Sequence, residues 1–570
     1  MAELLKQIKL RPNTSAAIII AIFGLAIHTP FLFFGLTSDH LLAIYEWRGR
    51  FLVPSVASFQ AFINPYGASA ILTRTIDVIW GDNPFVFFFT AIIFKILAAY
   101  TLYLLSKHIL KSNSLSILIG TAAVVAFSGI QGVAPGGTVH ISLALFNLGL
   151  LMSLKNSEKK ISRELFSFIL HVASFAITPT RMYPIFLIVI LVDLSRIVTT
   201  KSGARQLLFK LVAFAVSYQV LKEAGLIDSY GTAAGVASTL TSVDYYKEFT
   251  KFISIGIFSL ASVAQVLIPD QILGVLSKAL FAISGTSQLV LTSILQAISI
   301  AGFILFVYKT KIAKWSLLLA ITALTIVTSS FTTSLAVVPT SHKVNVFLGA
   351  VILCGVLALS KRGWKDEKYH LLLILTISPI AFLAAPYLLY QFGEQETLSR
   401  YFSAASLYGP LILVLLLTQL KIKKSYIYSL IALFIALNSV SSLQYQHSAG
   451  SDGTYQFYLN RVFGKMNEEI GPRRGKPRPL VFVRGDNGNF LSTTVTNLGD
   501  VRFSLYHKNL SENQRPIFVT DKVKLKEKFD EMLPLSKGDE FVYGFEIKNK
   551  QIYSITNQVR DYLYLNSDQF

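Results

Sequence analysis

Apolar runs of about 20 residues, each able to cross roughly 30 Å of hydrocarbon as a helix rising 1.5 Å per residue, recur from residue 15 to residue 442. They fall near 15–36, 84–106, 114–133, 138–154, 165–180, 183–199, 206–222, 286–308, 315–333, 343–360, 369–390, 402–420 and 425–442. A chain that is 53% hydrophobic and only 15% charged cannot hide this much apolar surface inside an ordinary soluble core. The expected fold is mainly α: a polytopic transmembrane helix bundle of about thirteen spans over 1–442, then a small extracytoplasmic α/β domain over 443–570.

The connectors set the orientation. Lys6, Lys9 and Arg11 precede the first run; Lys107 and Lys111, then Lys155, Lys159, Lys160 and Arg163, then Arg196, Lys201 and Arg205 recur at alternate ends. Lys309, Lys311 and Lys314, then Lys361, Arg362, Lys365 and Lys368, then Lys421, Lys423 and Lys424 continue the series. By the positive-inside rule these ends are cytoplasmic, and an odd number of crossings puts the C-terminal domain outside. The first run lacks a small-residue cleavage pattern and reads as a retained span rather than a signal peptide. Residues 37–83 and 223–285 become long external loops; the short apolar segments of the first lie along the membrane surface, and those of the second lie at the interface, re-enter it or cross twice. An apolar stretch at 252–268 is kept out of the span count because a single crossing there would invert every later connector.

The net charge of +20 belongs to this membrane part: residues 443–570 hold 18 basic and 15 acidic residues, against 34 and 17 upstream. The basicity is therefore topological, and nucleic acid is not an expected partner. Cys354 stands alone, so no internal disulfide forms. In the C-terminal part YQFYLNRVFGKMNEEI and KVKLKEKFDEML read as amphipathic helices, and PLVFV, RPIFV, EFVYGFEI and QIYSI as strands.

Ionisable groups at span ends without a topological reason are the candidates for chemistry. Asp39, directly after the first run in GLTSDH, is either a helix cap or a carboxylate tuned by an apolar wall, and His40 and Glu46 follow it as candidates for supporting hydrogen bonds. Arg400 with Tyr401, and Arg181, occupy short external turns where the positive-inside rule disfavours arginine; His342 and Lys343 form a weaker pair of the same kind. Each cation suits a phosphate or a lipid headgroup. Lys95 lies in mid-span, as either a site or a structural donor to a buried acid or carbonyl, and His28 reads as a packed neutral histidine. The GDNGNF loop at 485–490 reads as a polar turn, with too few acids for calcium.

The acid after the first span, the long first external loop, the second long external loop after the seventh span, the RYF turn before a late span and the outer domain together resemble the GT-C superfamily of membrane glycosyltransferases. The resemblance implies an inverting transfer of a sugar from a polyprenyl-phosphate donor to a cell-envelope glycan or lipid acceptor on the outer face of the plasma membrane. In it Asp39 acts as base, with Arg400, and Arg181 as second candidate, facing the departing lipid phosphate. The WWD-type motif and DxD of the oligosaccharyltransferase branch are missing, so the similarity is to the lipid- and polysaccharide-modifying branch. No cofactor is expected, and no DxD supports a divalent metal. The competing readings are a multi-span lipid or polysaccharide transporter or flippase, and a polysaccharide polymerase or ligase.

Overall fold

The computed structural model describes residues 11–36, 69–81, 83–126, 138–155, 161–178, 184–200, 204–223, 260–269, 272–273, 340–359, 366–390, 403–450, 455–471, 478–486, 495, 500, 503, 514–535 and 540–565. They form a mainly helical protein with one small four-stranded sheet. In chain order the helices before the sheet are α1 (Pro12–His28, continued by a 3-10 turn Thr29–Phe33), α2 (Ser69–Trp80), α3 (Pro84–Leu110), α4 (Asn113–Val125), α5 (Thr138–Leu154), α6 (Ile161–Ile177) and α7 (Pro184–Thr200). These are followed by α8 (Ala204–Glu223), α9 (Thr340–Ala358), α10 (Glu367–Tyr390), α11 (Ser403–Ser406), α12 (Gly409–Gln419), α13 (Lys424–Ala449) and α14 (Gln456–Ile470).

Prolines open α1, α3 and α7, where a missing N–H leaves no helical bond unmade. Asn83 caps α3 by accepting from the Phe85 amide at 3.1 Å.

Three helices among the described residues are long and apolar enough to cross a membrane: Pro12–Phe33, Pro84–Leu110 and Lys424–Ser448. They give the chain integral-membrane character. The expected bundle of about thirteen spans is corrected by this finding. Hydropathy averages over windows and does not see where a helix stops: α4 has 13 residues, α5, α6 and α7 have 17 each and α12 has 11. At 1.5 Å per residue these cover about 16–26 Å, short of a hydrocarbon core of roughly 30 Å. The runs expected at 286–308 and 315–333 lie outside the described residues. The resemblance to the GT-C superfamily rested on that bundle and is corrected with it.

The described residues fall into two compact units. The first contains α1, α3 from Thr90 onward and α4–α13 as far as Leu443. Small residues let its helices approach: a methyl group added to Gly120 of α4 would lie 2.5 Å from Ile20 Cδ1 and 3.2 Å from the Ala99 carbonyl oxygen. The antiparallel pair α5 and α6 is closed by hydroxyls. Ser167 donates to the Gly149 carbonyl at 2.7 Å, Ser174 to the Ser142 carbonyl at 2.6 Å, and the Ser142 and Thr178 hydroxyls meet at 3.0 Å.

The second unit contains the described residues at 29–36, 73–89 and from 444 onward. Its sheet has strands β1 (Leu480–Gly485), β2 (Ile517–Val519), β3 (Val542–Lys548) and β4 (Gln551–Ser554), with α15 (Lys522–Met532) before β3 and α16 (Thr556–Leu565) after β4. Strand order is β2-β1-β3-β4; β1 pairs parallel with β2 and β3, and β4 runs antiparallel to β3.

Alternation along LVFV explains why this sheet has helices on both faces. Val481 and Val483 pack with Leu459, Val462, Phe463 and Met466 of α14, while Leu480 and Phe482 pack with Leu525 and Phe529 of α15 and Val559 of α16. Asn549 and Lys550, both at positive φ (51° and 59°), make the tight turn between β3 and β4.

Candidate functional sites

The first site is the end of α4. Near its beginning the Ser114 hydroxyl lies 2.9 Å from the Tyr428 hydroxyl of α13. At the start of α1, Asn13 Oδ1 accepts from the Tyr103 hydroxyl and from Lys107 Nζ of α3, each at 2.9 Å. From Ser114 the chain rises about 18 Å over twelve residues to Ala126, and α4 ends while α3 and α13 continue.

The last carbonyls of a helix have no partner within it. Here His28 Nε2 donates to the Val124 oxygen at 2.8 Å, Ser442 Oγ to the Val125 oxygen at 3.2 Å and Lys95 Nζ to the Ala126 oxygen at 3.3 Å. Each donor comes from a different one of the three helices long enough to span. The Lys95 ammonium, fully buried, stands at the negative end of the α4 dipole. Free carbonyls at a broken helix end coordinate cations in membrane proteins; here the cation is a side chain of the chain itself.

The second site joins α5–α8. Lys210 Nζ of α8 pairs with Asp193 Oδ2 of α7 at 2.8 Å and with Glu164 Oε2 of α6 at 3.3 Å, and donates to Ser153 Oγ of α5 at 3.1 Å. All three charged side chains are buried. One turn further along α7, Arg196 donates to the Ser153 and Leu154 carbonyls at 2.9 and 3.2 Å, closing the C-terminal end of α5, and pairs with Glu367 of α10 at 3.6 Å. Nearby, the buried ring of His171 packs on Gly149 and Phe146. A second polar thread lies beside it: the Tyr408 hydroxyl donates to Asn147 Oδ1 at 2.7 Å, and Asn147 Nδ2 to Thr101 Oγ1 at 3.3 Å.

The third site is at the carboxyl ends of the parallel strands. The chain leaves β1 toward β2 on one side and leaves β3 toward β4 on the other, and in open α/β sheets the crevice at such a reversal is where ligands bind. Arg484 of β1 pairs with Glu546 of β3 at 3.0 Å across their shared register, both about one-third exposed. Asp486 Oδ2 accepts from the Asn549 amide at 3.3 Å. Burial, and then the Asp486 carboxylate, push the Tyr458 phenol up to about 12.

Of the residues singled out in the sequence for chemistry or packing, Lys95 and His28 have described side chains. Asp39, His40, Glu46, Arg181, Arg400 and Tyr401 lie outside the described residues. His342 and Lys343 belong to the first turn of α9, with side chains outside what is described. Among the described residues no group of three or more His, Cys, Asp and Glu side chains is placed to hold a metal.

With three candidate spans among the described residues in place of a GT-C bundle, the assignment as a GT-C-type, polyprenyl-phosphate-dependent glycosyltransferase enzyme is corrected. No protein-family description matches the chain, and no curated protein matches it.

Sequence reasoning missed Glu164, Asp193 and Lys210. For Asp193 and Lys210 the signal was a charge inside an apolar run, in LVDLSR and LLFKLV, which a window average absorbs.

Proposed function

We propose that the protein is a multi-pass protein of the cell membrane, with its N-terminus in the cytoplasm, that presents the α/β unit as a binding module on the opposite side. The observation that carries this reading is the common basic end of the three long apolar helices. Lys6, Lys9 and Arg11 precede α1, Lys107 and Lys111 close α3, and Lys421, Lys423 and Lys424 open α13. The contacts Asn13–Lys107 and Ser114–Tyr428 join those ends side by side. Lysine and arginine mark the cytoplasmic ends of spans, so α13 delivers the α/β unit to the far side.

In this reading the buried ions of the helical unit are fastenings between helices. The strand-end crevice with Arg484, Glu546, Asp486 and Tyr458 offers donors and acceptors to a small polar ligand. The test replaces Cys354 by Ala, introduces Lys550→Cys at the β3–β4 turn, and treats intact cells with a membrane-impermeant maleimide. Labelling without permeabilisation is expected; labelling only after the membrane is opened overturns the orientation.

A further inference from the structure

Large apolar side chains of the second unit stay exposed at Phe33 (57%), Val78, Ile79, Trp80, Phe85 (49%) and Phe457 (60%). They come from four pieces of chain: the 3-10 turn after α1, the end of α2, the start of α3 and the first turn of α14. A ladder of rings connects α14 to the ends of α1 and α3. Phe31 and Phe34 lie 6.1 and 6.2 Å from Phe88, Phe34 packs edge-on against Tyr455 at 5.0 Å, and Tyr455 stacks on Phe457 at 5.3 Å. Phe34 and Tyr455 also form an antiparallel β-bridge. The α/β unit is thus fixed through its own residues to the chain that leaves the first apolar helix.

We propose that this aromatic surface seats the α/β unit in the lipid interface, with Phe457, Phe33, Phe85 and Trp80 immersed in it. It rests on the membrane-crossing reading of α1 and α3.

Continuity identifies lipid as the occupant. On α3 the exposed residues Phe85, Phe89, Ile93 and Leu97 follow each other at four-residue intervals, making one apolar stripe that runs from the span into the seat. On α1 Ile18, Ile22 and Leu25 are exposed in the same helical spacing. A surface lipid-facing along its length meets the interface where it ends, and aromatic rings collect at that depth. α2 fits the same environment: Thr73, Ile76 and Asp77 are buried at helical spacing while Val78, Ile79 and Trp80 are exposed at its end.

Val523 supplies the control. It is as exposed as Phe457, at 65%, but opens α15 on the opposite face of the sheet, away from the ladder.

The experiment uses the full chain in phosphatidylcholine–phosphatidylglycerol vesicles, with Cys354→Ala and one spin-labelled cysteine at a time: Ile22→Cys, Phe457→Cys or Val523→Cys. Collision rates with oxygen, which concentrates in lipid, and with a water-soluble nickel chelate are compared. The oxygen-to-nickel ratio is expected to be several-fold higher at 457 than at 523, and to resemble that at 22. A label at 457 that meets nickel as freely as at 523, with 22 still in lipid, overturns the seat alone. A label at 457 shielded from both agents assigns the surface to a protein partner and also overturns it. A water-exposed label at 22 removes the membrane reading beneath it.

Discussion

Lys95 and Lys210 are both buried in the helical unit, yet their surroundings have little in common. Lys210 has a carboxylate from each of two helices at ion-pair distance and a hydroxyl from a third that accepts its hydrogen bond. Among the described residues Lys95 has one carbonyl oxygen, at the end of a helix that stops short. A buried cation is accommodated in one case by formal opposite charge and in the other by the aligned peptide dipoles of α4. The first arrangement ties four helices together; the second completes the end of one.

This difference predicts unequal consequences of the same substitution. Lys210→Met leaves Glu164 and Asp193 buried without their countercharge, and should destabilise the helical unit by about 3–5 kcal/mol. Unfolding in mixed micelles would read this as a large fall in midpoint, partly restored by adding Asp193→Asn. Lys95→Met strands a single carbonyl and also removes a costly buried charge, so its effect should be about 1 kcal/mol. Equal losses for the two variants would break the comparison.

The smallest effect, nil at neutral pH, sharpens the contrast with the α/β unit, where burial acts on an uncharged group. An ordinary tyrosine ionises near pH about 10, and Tyr458 is raised to about 12 when folded. Its contribution is therefore intact below pH about 10 and is lost as pH rises through about 12. Near-ultraviolet circular dichroism of the full chain should show this alkaline loss, and Tyr458→Phe should flatten it.

What could be read in the sequence follows the same division. The helices at Gln456–Ile470 and Lys522–Met532 and the four strands carry local signals, a 3.6-residue or alternating pattern, and the structure has them where those signals stand. The strand order carries no such signal, because it is set by pairing between residues far apart in the chain. Lys95 was conspicuous as a charge in FVFFFTAIIFKILAAY, and one of its two readings, a structural donor to a carbonyl, describes the bond it makes. The cradle around Lys210 was not legible, since Glu164, Asp193 and Lys210 stand on three helices and nothing local says which charge meets which. Helix length was misjudged because the expected span ran on from Val125 into AFSGIQGV, where a window average hides the small and polar residues that follow the end of α4.

The end of α4 also has a consequence for how the chain is made. Val125 leaves the ribosome 317 residues before Ser442, its hydrogen-bond donor. During all of that synthesis the nascent chain holds an unfinished helix end, which water, the insertion machinery or an earlier segment must serve until α13 arrives.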